Sequence, residues 1–344
     1  MNKPEAPAGT EAEEAASASV AEIEALGERL RAARAMARRR IIGQDEVIDL
    51  ALTALLAGGH ALLVGLPGLG KTRLVETLGT VMGLDTGRIQ FTPDLMPADI
   101  IGSEVLEETP EGRRSFRFLR GPVFCQLLLA DEINRASPRT QSALLQAMQE
   151  HEVTVAGTAH PLPAPFHVLA TQNPLEQEGT YPLPEAQLDR FLMQIDVAWP
   201  GREAEREILR TTTGATEPAC TPVFAEGELL RAQALLRRMP VGEKVLDAIL
   251  DLVRACRPDD ATAPPRVREA VAWGPGPRAA QALALLVRAR ALLAGRLAPA
   301  PEDVQALARP VLIHRMALTY AARARGETLS PLIEDVCTTA LGPG

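Results

Sequence analysis

The segment Gly65-Leu66-Pro67-Gly68-Leu69-Gly70-Lys71-Thr72 fits GxxxxGK[ST] in full. Glycines at 65, 68 and 70 permit backbone conformations that wrap amide N–H groups around an anion, and the dipole of a helix opening at Lys71 favours that anion. In this arrangement Lys71 reaches the β and γ phosphates and Thr72 coordinates Mg²⁺. A lysine in a first helical turn opposes the dipole, a penalty of about 0.3–1 kcal/mol that makes sense opposite a polyphosphate. Leu69 and Arg73, in and beside the loop, join Ile42 and Gly43 upstream as candidate nucleotide contacts.

A second constellation lies downstream. Leu127-Leu128-Leu129-Ala130-Asp131-Glu132 reads as an apolar strand that ends in two carboxylates. Asp131 would hold Mg²⁺ through water, and Glu132 would polarise the attacking water as general base. Asn173 follows the apolar run His167 to Thr171, where it can orient the lytic water. Singly, such an acidic strand end is common and an Asn-Pro pair is often just a turn. Together with the loop they point to ATP and Mg²⁺.

These groups need a scaffold that brings strand ends together. His60 to Val64, Arg88 to Phe91, Leu127 to Ala130, His167 to Thr171 and Gln194 to Val197 read as short strands. Helical stretches over 45–56, 71–82 and 138–150 alternate with them, which implies a parallel sheet covered on both faces. Ser137 is a good N-cap and Pro138 suits the first helical turn. After Trp199-Pro200-Gly201 the chain becomes rich in Ala, Leu and Arg at helical periodicity, with loops at Thr211 to Pro222 and Arg257 to Pro265. A domain boundary is expected near residue 200, giving an α/β nucleotide domain over 41–200 and an all-helical one over 201–344. Residues 1–20 carry almost no bulky apolar groups and read as a disordered acidic tail. Apolar positions Ile23, Leu26, Leu30 and Ala33 recur at helical spacing, so 21–40 reads as an Arg-rich amphipathic helix.

Composition narrows the function classes. The chain has 344 residues with 36 Lys+Arg against 44 Asp+Glu, a formal charge of −8. An acidic balance disfavours broad nucleic-acid binding. With aromatic residues at 3% there is no stacking platform for single strands either. Apolar runs such as Val123 to Ala130 fall far short of the roughly 20 residues that a membrane span requires. Met1 to Ser19 contain no apolar run of secretory type, so a cytoplasmic chain is expected. Cys125, Cys220, Cys256 and Cys337 form no CxxC pair, the histidines show no metal spacing, and no GxSxG is present.

Longer matches identify a family. Gly121-Pro122-Val123-Phe124, Ala130 to Ala136, Thr140 to Leu145, Ala170-Thr171-Gln172-Asn173-Pro174 and Glu178 to Phe191 resemble the MoxR family of AAA+ ATPases. The likeness is dense over 41–200 and looser behind it, through Pro277-Arg278-Ala279 and Pro301 to Val304. It implies an AAA+ P-loop fold with a five-stranded parallel sheet in the order 5-1-4-3-2, a helical lid, and hexameric rings with ATP at each subunit interface. It also implies an insertion in the second helix, about Pro97 to Leu119 here, and a hairpin before the first sensor, His151 to Phe166, as pore or partner-contact elements. By this resemblance Arg190 matches the arginine finger, for which a salt bridge with Asp189 or Glu185 is the alternative, and Arg278 matches the lid sensor. Arg135 could be an interface residue or plain surface charge. The implied activity is ATP-driven remodelling or activation of a protein client, with von Willebrand A-like proteins as the client class. A scaffold that binds ATP and hardly hydrolyses it, and a DNA-linked motor, are the alternatives.

Overall fold

The computed structural model describes residues 8–108, 114–176, 179–214 and 218–342. Residues 1–7 of the expected tail, 109–113 of the insertion, Glu178 and 215–217 of the loop after Thr211 lie outside the described residues. The chain runs through α1 (Ala8–Arg38), α2 (Asp45–Leu56), β1 (Ala61–Gly65), α3 (Lys71–Met82), β2 (Thr86–Gln90), α4 (Pro97–Ile101), β3 (Gly102–Glu108) and β4 (Arg114–Arg120). Next come β5 (Leu127–Asp131), α5 (Pro138–Glu150), β6 (Glu152–Val155), β7 (Thr158–Pro161), β8 (His167–Gln172), α6 (Glu185–Leu188) and β9 (Met193–Val197). The rest comprises α7 (Arg202–Thr212), α8 (Glu228–Arg238), α9 (Glu243–Ala255), α10 (Pro265–Ala270), β10 (Val271–Trp273), α11 (Pro277–Leu293), α12 (Pro301–Leu312), β11 (Ala317–Leu318), α13 (Tyr320–Ala324) and α14 (Leu329–Leu341).

The main sheet is wholly parallel with the order β2-β5-β8-β1-β9, which is the expected 5-1-4-3-2 when its strands are counted along the chain. Alternate residues serve opposite faces, as the pleat requires. Ala61, Leu63, Leu127, Leu129 and Leu169 join one buried cluster, while Leu62, Leu128, Ala130, Val168 and Ala170 join the other with Leu144 and Leu145 of α5. Helices therefore cover both sides, and the three helices read from periodicity carry the expected bounds. The Ser137 side chain accepts from the Thr140 amide at the start of α5, as its N-cap position predicted.

Differences from the sequence reading are local and have physical causes. Helix α1 begins at Ala8, so 8–20 is helical rather than disordered. Ala and Glu are strong helix formers, and extending a helix already packed at Ile23, Leu30 and Ala33 costs little. The Arg-rich part of α1 presents no free basic stripe: Arg29 pairs with Glu228, Arg34 with Asp49 and Arg38 with Asp45. The C-terminal region is helical apart from β10, which pairs antiparallel with β11. Its core is continuous with the sheet's, because Leu286 of α11 and Val304 of α12 share a cluster with Leu52 of α2 and Leu63 of β1. Within the inserted segment, α4 leads into the β3–β4 hairpin, and β6–β7 forms the second hairpin. The two touch through Phe118 and His160, whose rings stack at 3.9 Å. Among the described residues no helix is long and apolar enough to cross a membrane.

Three histidines lie buried in this core as neutral rings. His60 accepts from the Val168 amide through Nδ1 (2.9 Å) and donates from Nε2 to the Met148 carbonyl (3.2 Å). Burial, helped by the neighbouring His167, pushes its pKa down to about 3. Burial likewise brings His167 to about 4, and burial with the adjacent Arg315 holds His314 well below the ordinary histidine value. In the unfolded chain all three titrate near pH ~6.5, so below that pH the unfolded state takes up protons that the native state refuses. The stability they maintain is complete above the unfolded pKa and is lost as the pH falls toward the folded values. Each contributes a slope of up to about 1.4 kcal/mol per pH unit. Melting followed calorimetrically should therefore show a steep fall in transition temperature between pH ~7 and ~5; a flat profile over that range would mean that the three rings are not held neutral.

Candidate functional site

Because the main strands are parallel, their C-terminal ends share one edge of the sheet, where α/β proteins build their sites. The loop after β1 wraps back with Gly68 and Gly70 at φ +82° and +74°, conformations that suit glycine. Gly65 has a different reason: a Cβ there would lie 2.6 Å from the Val197 carbonyl of β9. Gly70 is also the N-cap of α3 and offers no side-chain cap, so the first-turn amides remain available to an anion. Lys71 Nζ donates to the carbonyls of Gly65 (2.6 Å) and Leu66 (3.2 Å), folded back over its own loop. Burial lowers its pKa, while Asp131, Glu132 and Glu176 oppose the shift through their charges, which places the acidic pair beside the loop lysine.

The carboxylates are held in detail. Thr171 Oγ1 donates to Asp131 Oδ1 (2.7 Å) and accepts from the Glu132 amide (2.8 Å), tying both acids to the neighbouring strand β8. Arg88 of β2 donates to Asp131 Oδ2 (2.8 Å). Glu132 adopts a left-handed backbone with φ 58°, uncommon for a residue with a Cβ and of a kind that gathers at functional sites. Its Oε2 accepts from Gln90 and from Arg135, each at 2.9 Å, and Arg135 also pairs with Glu176. Asn173 is buried just beyond β8, its Oδ1 accepting from the Leu175 amide. Thr171, Arg88 and Gln90 carry roles that the sequence reading did not assign. Thr171 lay within a quoted motif; the strand pairing of Gln90 with Asp131 was not visible in sequence.

A cavity of about 500 Å³ opens beside this loop, its lining combining Gly68, Leu69, Gly70 and Arg73 with the apolar Ile41, Ile42, Trp199 and Leu209 and the polar Gln44 and Glu205. Trp199 lines this cavity and is 65% exposed, which leaves its indole available to a flat ring. Gly43 does not line the cavity. It sits at φ +74° with its Cβ position only 2.3 Å from Ala204, so its part is to let the 41–44 segment pack against α7. Free amides, a lysine and apolar walls suit a nucleoside polyphosphate, and the hard oxygens of Thr72 and Asp131 suit Mg²⁺.

The two arginines matched to the finger and the lid sensor lie apart from the P-loop cavity. Arg190 and Arg278 line a separate cavity of about 240 Å³ with Asp189, Gln281, Met148 and Arg315, and it shares no lining residue with the first. The alternative partner for Arg190 is otherwise engaged: Asp189 pairs with Arg315 at 2.8 Å and faces Arg278 at 3.6 Å. Among the described residues Arg190 makes no ion pair. The candidate site residues thus fall at two places on one chain.

Comparison with known proteins agrees with this architecture. Residues 60–193 match the family "ATPase family associated with various cellular activities (AAA)", and 264–336 match the AAA lid domain. Chaperone MoxR1 of Mycobacterium tuberculosis is 45% identical over 296 residues, covering 86% of this chain and 77% of that protein. Protein MoxR of Paracoccus denitrificans is 34% identical, covering 89% of this chain and 94% of its own. A crystal structure of a candidate ATPase from Cytophaga hutchinsonii superposes with a TM-score of 0.85 at 37% identity, covering 92% of this chain and 96% of that one.

If the larger cavity receives the base beside Trp199, ADP should change the emission of Trp199, read in a Trp273→Phe background, and Lys71→Ala should remove that change at the same ADP concentration. Unaltered emission on saturation would place the base elsewhere.

Proposed function

Since the chain belongs to the MoxR family of AAA+ ATPases, we propose that it binds Mg·ATP in the larger cavity, hydrolyses it within an oligomeric ring, and uses the cycle to remodel or activate a protein client. The supporting observation is the division of the site. Lys71, Asp131, Glu132 and Asn173 gather at the P-loop, whereas Arg190 and Arg278 gather at a cavity that the chain's own nucleotide does not border. A head-to-tail neighbour supplies what each half lacks, and such heterologous contacts close into rings when the rotation permits.

The chain's residues divide the work as follows. The loop amides and Lys71 bind the β and γ phosphates, for which Lys71 must exchange its carbonyl partners for phosphate oxygens. Thr72 and Asp131 would hold Mg²⁺, which when bound would supply charge neutralisation at the phosphates. Glu132 accepts a proton from the attacking water, whose oxygen bonds to the γ phosphorus while the bond to the ADP oxygen breaks. Asn173 orients that water. Arg190, joined by Arg278, reaches from the neighbouring subunit to stabilise charge on the transferred phosphoryl group. A hexamer is the proposed ring size.

For the client side, the β3–β4 hairpin offers exposed Leu106 and Phe116, cross-strand partners near its tip. Contact between this hairpin and β6–β7 makes the pair a single surface through which nucleotide state can act on a protein. A von Willebrand A-like protein is the proposed client class. The pairing of Arg29, Arg34 and Arg38 within the chain weighs against α1 as a nucleic-acid stripe.

Isothermal titration and phosphate release together test this reading. Lys71→Ala should lose ATP binding. Glu132→Gln should keep it while turnover falls by about 10²–10⁴-fold, the share typical of a positioned acid or base. Normal turnover in Glu132→Gln would remove the base assignment, and negligible turnover in the unaltered chain would favour the ATP-gated scaffold.

A further inference from the structure

Arg315 ends the 3₁₀ turn Ile313–Arg315 that follows α12, and it is only 1% exposed. Its guanidinium is fully engaged. Nε donates to Asp189 Oδ1 (2.8 Å), Nη1 to the carbonyls of Leu192 (3.0 Å) and Val311 (2.7 Å), and Nη2 to those of Phe191 (2.6 Å) and Asp189 (3.3 Å). Four of the five bonds end on the turn 189–192 between α6 and β9, the turn that carries Arg190. Burying a cation is expensive unless it is paired and hydrogen-bonded, so an apolar residue would serve plain packing better. The planar fork of arginine matches several carbonyls at once, a fit that a lysine cannot copy. The same turn receives a second lid residue, since Arg278 of α11 faces the other Asp189 oxygen at 3.6 Å. Lid elements far apart in sequence thus converge on the residues either side of Arg190.

We infer that Arg315 is a positioning residue for the arginine finger: through Asp189 and the carbonyls of 189, 191 and 192 it fixes the turn so that Arg190 and Arg278 emerge together toward the nucleotide of a neighbouring subunit. This rests on the reading of Arg190 as a residue that acts in trans. It gives the lid a direct hold on catalysis in the adjoining site, while the lid's own chain keeps its P-loop unaffected.

The test separates a finger defect from general damage. Arg315→Lys keeps the charge and loses the fan of carbonyl bonds; Asp189→Asn keeps the shape and loses the counter-ion. Each should bind a fluorescent ADP analogue at its own P-loop with unchanged affinity. Turnover should fall by about 100-fold, the loss expected when a catalytic group is misplaced by roughly 1 Å. Mixing either variant with the double variant Lys71→Ala/Glu132→Gln, which has a dead site and an intact finger, should restore part of the turnover in co-assembled rings, as it should for Arg190→Ala. Wild-type turnover in both variants overturns the inference. So does a loss that the donor fails to restore although it restores Arg190→Ala, and in that case the trans reading of Arg190 still stands. If Arg190→Ala itself keeps full turnover or is not restored, the trans reading fails and this inference fails with it.

Discussion

Ala170 in β8 lies between Leu62 of β1 and Ala130 of β5, and the parallel register that sets these neighbours governs everything at the nucleotide site. Parallel strands in step end together, so the loop after Gly65, the carboxylates at the end of β5 and the segment after Gln172 reach one edge. The register also places Thr171 where its hydroxyl can bridge Asp131 and the Glu132 amide. A slip of one residue would turn each side chain to the other face. It would separate the acids from the loop lysine and expose apolar residues that now serve two buried clusters.

Charge is distributed with the same economy. At the P-loop edge, Arg88 pairs with Asp131 and Arg135 with Glu132, and Lys71 lies within their electrostatic reach, so the charges of the two adjacent carboxylates are offset. At the other cavity Arg315 and Arg278 share the carboxylate of Asp189, and Arg190 lines the same cavity without an ion pair among the described residues. One edge is arranged to receive phosphate and metal, and the other carries surplus positive charge. The buried fork of Arg315 marks the second edge as a built feature, because an arginine almost without solvent contact persists only when its donors are satisfied.

Much of the fold was legible because it rests on local signals. Period-2 and period-3.6 patterns located the five parallel strands and the helices 45–56, 71–82 and 138–150 to within a residue or two. The sheet order and the nucleotide-binding family came from motif likeness, which spacing alone could not supply. The start of α1 escaped the reading because composition reports what can form a core, while a helix anchored further along can extend through Ala and Glu without forming one. Gly43, expected as a nucleotide contact, does not line the cavity; it makes a close approach to Ala204, a contact across 161 positions of chain that no local pattern encodes.

What the sequence by itself determined was the chemistry available: a loop whose glycines and lysine can hold phosphate, a strand ending in two acids, and the helices and strands that carry them. These depend on backbone conformation and side-chain periodicity over a few consecutive residues. Only the tertiary structure decided which charges meet. Arg29 is satisfied by Glu228, 199 positions away, and Arg315 by Asp189, 126 positions away. It also decided that Arg190 and Arg278 line a cavity that shares no residue with the one beside the P-loop. Such choices turn on distance after folding and, for the buried Arg315, on a low dielectric that strengthens its pairing with Asp189.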